Sequence, residues 1–283
     1  MRLADALAGF ARGWRDDLPD RWADALRTVE PDAASVAPDL TFDAAEPIFP
    51  ARRAAPLPAA RPDAHAFRAF DGLAPADVRC VLLGQDPYPR IARATGRSFE
   101  QGDLATWFQK PAVTTSLRVL LQKLAEVRTG DPSLSAAGGW AAMTAGMRAG
   151  TMDLGTPRGL FDHWQERGVL CLNAGLTLTR YAQGGAREQM AGHIPFWRPV
   201  VGHALRHVAA RPGGPVVFLL LGAPAQRLAL AAGIREAAGH RWGRGVDAVA
   251  LPHPAATGFL AAANPFRAVD AALVRMGGEP IGW

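Results

Sequence analysis

The chain has 283 residues, 49% of them hydrophobic, and a net charge of +5. That length allows one large or two small domains, and the apolar content is enough for a sizeable core. No apolar run approaches a membrane span, and the opening M-R-L-A-D-A-L-A-G-F is too interrupted by Asp and Arg for a signal peptide. The bases are nearly all Arg, with Lys110 and Lys123 as the lysines. A GC-rich coding sequence accounts for Arg over Lys, but not for the excess of bases over acids. The basic balance favours a polyanion such as nucleic acid, weakly at this magnitude. Cys80 and Cys171 fall inside apolar runs and read as small core residues of a reduced, cytoplasmic protein. No C-x-x-C or His cluster suggests a metal site.

In chain order, residues 3–28 read as amphipathic helix broken near Leu18-Pro19-Asp20, and 30–63 as an irregular, Pro- and Ala-rich connection. Residues 78–83 (V-R-C-V-L-L) read as a buried strand ending at Gly84-Gln85-Asp86. Ser116 to Val127 has helical apolar spacing with Ser at its start. The stretch 128–158, rich in Gly, Ala, Ser and Met, is a packed insertion or a mobile loop. A helix over 160–167 precedes a second strand, Val169 to Leu172, ending at Asn173. A helix over 195–210 precedes a third, Val216 to Leu221, ending at Gly222-Ala223. A helix over 223–232 precedes a fourth, Val246 to Leu251, ending at Pro252-His253-Pro254, and a last helix spans 265–276.

Apolar runs bounded by Gly and Pro and alternating with helices predict a three-layer α/β/α domain around a central, mostly parallel four-stranded sheet. Ligands of such sheets sit outside the carboxyl ends of the strands. Asp86, Asn173, Gly222 and His253 would converge there. The turn G-Q-D-P-Y supplies a carboxylate and the ring of Tyr88, and Phe99 follows thirteen residues after Asp86. A carboxylate beside two rings suits a flat, polar, uncharged ligand such as a nucleobase. Taken singly, each residue has a plainer reading: Asp86 as a turn or N-cap residue, Asn173 as a cap, Phe99 as core, His253 as a loop histidine.

At these residues the chain resembles the family-1 uracil-DNA glycosylases. The resemblance runs over about 46–283 and rests on segments that agree in order: G-Q-D-P-Y at 84–88, Phe99 at the family's spacing, T-S-L at 115–117, G-V-L-C-L-N-A-G-L-T at 168–177, F-L-L-L-G-A-P-A-Q at 218–226, H-P at 253–254 and the ending E-P-I-G-W. It implies a catalytic domain over 46–283 behind a helical appendage, 1–45. It implies an enzyme that flips uracil out of DNA and hydrolyses its N-glycosidic bond without cutting the backbone, needing neither metal nor organic cofactor. The implied partners are single- and double-stranded uracil-containing DNA, with the protein a monomer and no membrane involved.

The resemblance assigns Phe99 to stack on uracil, Tyr88 to exclude a C5 methyl, Asn173 to read N3 and O4, and the Gln85 backbone to meet O2. Asp86 would position water and stabilise an oxocarbenium-like sugar. His253, neutral, would donate to O2 as the uracil anion forms. Ser116, Gly222, Ala223, Pro254, Ala255 and Thr257 fall at DNA-gripping positions. Pro89 replaces the family's His after G-Q-D-P-Y, and Arg90, Arg93 and Arg97 follow on a loop that could reach phosphates or remain a solvated basic loop.

The family's H-P-S-P-L loop reads His253-Pro254-Ala255-Ala256-Thr257 here, and its glycine-serine pair reads Gly222-Ala223. Two hydroxyls and the leucine wedge are missing. Apolar wedges help unstack bases, so the altered loop predicts weaker duplex engagement, or a substitute wedge from Phe259 or Leu260. It also predicts reduced affinity for the DNA-mimicking phage inhibitor that encloses the leucine. The altered loop leaves open a non-catalytic binder of uracil or abasic DNA, against which Asp86, Asn173 and His253 weigh. An unrelated α/β hydrolase would need G-x-S-x-G or a phosphate loop, and neither occurs.

Overall fold

The computed structural model describes residues 1–110, 112–179 and 187–283. Four apolar runs form the strands β1 (Cys80–Gly84), β2 (Val169–Asn173), β3 (Val216–Leu221) and β4 (Val246–Leu251). Their order is β2-β1-β3-β4, and every neighbouring pair is parallel. The sheet is therefore wholly parallel, where the sequence predicted mostly parallel. Strands β1, β2 and β3 are buried along their whole length, as a parallel sheet covered on both faces requires. Edge strand β4 is buried only at Val246 and half-buried along most of the rest.

Alternate residues feed two cores. Val81, Leu83, Leu170, Leu172, Phe218 and Leu220 face one, while Cys80, Leu82, Val169, Cys171, Val217 and Leu219 face the other. The nine helices of the described residues are α1 (Leu3–Phe10), α2 (Asp20–Ala25), α3 (Thr115–Thr129), α4 (Gly139–Ala149), α5 (Pro157–Glu166), α6 (Ile194–Ala210), α7 (Ala223–Ala231), α8 (Ile234–Ala238) and α9 (Pro265–Arg275). Helices α1, α2, α6, α7 and α8 cover the first face, and α3, α4, α5 and α9 the second. Local chemistry sets their ends. The Asn264 side chain caps α9 by accepting from the N–H groups of Phe266 and Arg267 at 3.1 and 3.4 Å. Gly130, at φ 77°, closes α3 in the left-handed region.

The N-terminal segment breaks earlier than its sequence indicates: α1 stops at Phe10, Gly13 at φ 59° leads into a short turn at Trp14–Asp17, and Pro19 then precedes α2. Leu3, Leu7, Trp14 and Trp22 are at most 1% exposed and join the first core. Trp22 also donates to the Leu73 carbonyl at 2.6 Å. Burying a leucine of this kind stabilises by roughly 1.5–3 kcal/mol. The stretch 128–158 is a packed insertion. Helix α4 and a short turn at Pro132–Ser135 bury Leu134 and Met143 against α3, whose Gln122 amide donates to the Leu134 carbonyl at 2.9 Å. No helix of the described residues is long and apolar enough to cross a membrane.

Candidate active site

Register places the site. Gly84 pairs with Asn173 across β1 and β2, so both strands end at one level. Beyond them the two turns stay hydrogen-bonded: Ala174 N–H donates to the Gly84 carbonyl at 3.0 Å and Gly175 N–H to the Gln85 carbonyl at 2.9 Å. Ser98 is pinned beneath, its N–H on the Cys171 carbonyl at 3.0 Å and its hydroxyl on the Leu82 carbonyl at 2.9 Å. The next residue, Phe99, stands at φ 62°, the only positive φ at a non-glycine position among the described residues. Bulky side chains rarely accept this region, and such strain clusters at functional sites.

On the other side of the crevice, Leu221 pairs with Leu251 and Gly222 N–H donates to the Leu251 carbonyl at 3.0 Å. A Cβ at Gly222, whose φ is 93°, would stand 3.0 Å from the His253 Cβ, so glycine lets the two turns close. Gln85, Asp86, Tyr88, Phe99, Ser116, Asn173 and His253 thereby line one pocket of about 200 Å³. The rings of Phe99 and His253 lie 6.2 Å apart, tilted by 36°.

The polar groups of the pocket have defined states. Burial pushes the Asp86 carboxyl up to about 6, only partly offset by the Gln85 amide, which donates to Oδ2 at 3.3 Å. His253 is held below the ordinary imidazole value by burial. Its Nδ1 accepts from the Ala255 N–H at 3.1 Å. The neutral ring therefore carries its proton on Nε2, which makes Nε2–H a hydrogen-bond donor. Asn173 is 2% exposed and its Oδ1 has no hydrogen-bond partner. An unsatisfied buried acceptor costs roughly 1–3 kcal/mol unless a ligand supplies a donor. Tyr88 is fixed through its hydroxyl, which accepts from Thr114 Oγ1 at 2.8 Å and stands 3.3 Å from both the Phe99 carbonyl and Ser116 Oγ.

The grip residues divide. Ala255 and Thr257 are exposed at the loop tip, Pro254 is buried, and Ala223 is exposed at the start of α7. Arg90 is exposed, whereas Arg93 binds Asp103 at 2.9 Å. Arg97 departs from the sequence expectation of a phosphate-reaching arginine. It is 8% exposed and spends its guanidinium on Asp162 at 2.7 Å and on Gln165. The expected substitute wedge also changes: Phe259 is 1% exposed within the second core, and Leu260 packs against that core. Thr114 and Ser98 went unnoticed in the sequence. Their signal is adjacency, one preceding T-S-L and the other preceding Phe99. Among the described residues no group of three His, Cys, Asp or Glu side chains could hold a metal.

The fold and pocket together define a parallel α/β protein with a polar, partly aromatic crevice at the carboxyl ends of its strands, where such sheets bind ligands. Comparison with known proteins narrows the class. The uracil-DNA glycosylase of Chromobacterium violaceum is 31% identical over 284 residues, which is 99% of this chain and 94% of that one. That of Bordetella petrii is 35% identical over 161 residues, 56% of this chain and 49% of the relative. The UNG crystal structure from Nitratifractor salsuginis superposes with a TM-score of 0.60 at 25% identity, covering 96% of this chain and 97% of that one. No family model matches. The chain belongs to the uracil-DNA glycosylase family.

Proposed function

We propose that the chain is a family-1 uracil-DNA glycosylase, monofunctional and divergent in its wedge loop, that hydrolyses the N-glycosidic bond of uracil in DNA. The observation that carries this reading is the orphaned Oδ1 of Asn173 beside Asp86 in the pocket. Uracil N3–H would satisfy Oδ1, and the same amide's N–H would meet O4. Cytosine presents the opposite pair, so a fixed Asn leaves it mismatched. Phe99 would stack on the ring. Tyr88, immobilised by three neighbours, would reject the methyl of thymine by clash.

As the glycosidic bond breaks, its electron pair leaves with uracil and charge gathers on O2, where His253 Nε2–H donates. Positive charge gathers on the sugar, where the Asp86 carboxylate stabilises it and orients the water that attacks C1′. Flipping costs about a few kcal/mol. With no bulky apolar side chain at 255–257 and Phe259 in the core, duplex DNA is engaged less firmly than single strands. The phage inhibitor of the family binds less tightly for the same reason, and equimolar full inhibition would contradict this. On this reading residues 1–45 are a packed appendage to a catalytic unit over 46–283, in a monomeric, cytoplasmic repair enzyme.

The altered loop favours one alternative, a non-catalytic binder of uracil or abasic DNA. Incubating the protein with a single-uracil duplex, followed by alkaline cleavage, separates the two. Release by the wild type, with large losses in Asp86→Asn and His253→Ala, supports the glycosylase. Retained binding without release selects the alternative.

A further inference from the structure

Most arginines of this chain are already occupied. Arg52 pairs with Asp17, Arg68 with Glu100 and Arg97 with Asp162. Arg128 and Arg167 donate to the carbonyls of Trp283 and Ile281. Several arginines of the described residues have no hydrogen-bonding or ionic partner for the guanidinium, Arg12, Arg21, Arg27 and Arg244 among them, and Arg90, Arg118 and Arg227 are those of the set that adjoin the pocket segments. All three lie where the chain borders the crevice. Arg90 is exposed two residues beyond Tyr88, and its N–H donates to the Tyr88 carbonyl at 2.8 Å. Arg118 stands in the first turn of α3, two residues after the pocket residue Ser116. Arg227 is exposed on α7, one turn after the exposed Ala223 and so on the same face.

Helical side chains tilt toward the N-terminus of their helix. Both helices begin at the carboxyl end of the sheet. Both side chains therefore lean toward the carboxyl end of the sheet, the end at which the crevice opens. Meanwhile Ala223, Ala255 and Ala256 expose only methyl groups at the rim. Three unneutralised cations grouped at one end of the sheet have a physical use if phosphates neutralise them.

We propose that Arg90, Arg118 and Arg227 form a phosphate clamp that holds the backbone of the strand delivering its base to the pocket. This rests on the glycosylase reading and names the grip that the loops lack. Each contact releases condensed counterions, so it registers in the salt dependence of binding.

The test measures Kd of the full-length protein for an abasic-site duplex between about 50 and 200 mM salt. Each single Arg→Ala change lowers the magnitude of the slope of log K against log salt by about 1, and the triple change by about 3. Arg244→Ala is the control. Arg244 is also exposed and unpartnered, but it precedes β4 at the opposite end of the sheet, and its slope stays at the wild-type value. An unchanged slope in the triple variant overturns the clamp. So does an equal fall with Arg244→Ala, which would mean diffuse attraction. Uracil release by the wild type is scored separately. Its absence counts against the glycosylase reading, while the slopes still decide the clamp.

Discussion

Replacing Asp86 with Asn should make the protein more stable while removing its activity. Burial lifts the carboxyl from its ordinary 3.8 to about 6. A folded-state value above the unfolded one means that the native protein holds this proton more tightly. The associated stability is complete in acid and is lost as pH rises from about 4 through 6. Above that window the native carboxylate carries the full penalty, roughly 2 pKa units at 1.36 kcal/mol each, or about 3 kcal/mol. That is a ceiling, because Asp86 is half-buried and keeps part of its hydration from the open pocket. An expected gain of about 1–2 kcal/mol follows for the uncharged amide, worth roughly 2–4 °C in Tm per kcal/mol in a domain of this size. Denaturation of both proteins at pH 8 and below pH 4 checks it. The gap should be present at the higher pH and close at the lower. An Asn variant less stable than the parent at pH 8, or a gap that ignores pH, would refute the account of Asp86 as a desolvated anion.

Four further outcomes follow from the same geometry. The kcat/KM for uracil release should fall as pH drops through about 6, because the Asp86 carboxylate must be ionised. His253→Ala should cost about 10²–10³ in single-turnover rate, the typical loss of one anion-stabilising donor, and a loss under tenfold would remove Nε2–H from that role. Gly84→Ala should fold yet release uracil poorly, since its Cβ would meet Asn173 Oδ1 at 2.6 Å, Ser98 Cβ at 2.9 Å and a Phe99 ring carbon at 3.4 Å; full activity would show that this corner is not tightly set. Phe259→Ala should destabilise by about 3–5 kcal/mol as a core truncation and depress activity on single- and double-stranded DNA alike, whereas a stable variant defective only on duplexes would restore Phe259 as a wedge.

The strands were legible because buried parallel strands are nearly continuous apolar runs, and V-V-F-L-L-L has no competing reading at that length. Asp86, Asn173 and His253 were legible because each follows such a run, and strand ends in a parallel sheet converge, whereas Phe99 and Ser116 were read from the family resemblance. Arg97 and Phe259 were misjudged for a common reason. Sequence shows that a residue follows a motif, not which way its side chain turns. Arg97 sits one residue before Ser98, whose two strand-end bonds fix the backbone and turn the guanidinium inward to Asp162. Phe259 follows a tight turn at Gly258, φ 87°, that folds the chain back into the second core. Nor could the sequence supply the His253 tautomer. It depends on a single N–H donated from Ala255, a residue that looks from its side chain alone like a loss.

That last contact bears on how the site tolerates its altered loop. Position 255 contributes to His253 through its backbone, so an alanine there leaves the His253 tautomer intact and, on the proposed reading, gives up only a side-chain hold on DNA. The same separation holds at Gly222-Ala223. Gly222 permits the approach to His253, and the following side chain, pointing to solvent, is free to vary. On the proposed reading, the chemistry depends on backbone bonds and strand register, and the substrate grip on surface side chains. The proposed clamp would then replace neutral hydroxyls with guanidiniums while the pocket's backbone contacts stay as they are. The consequence lies in the salt response. Hydroxyl contacts release few counterions, whereas arginine contacts release about one each. Binding that shifts from the first kind to the second becomes steeper in salt with the rate of the chemical step unchanged.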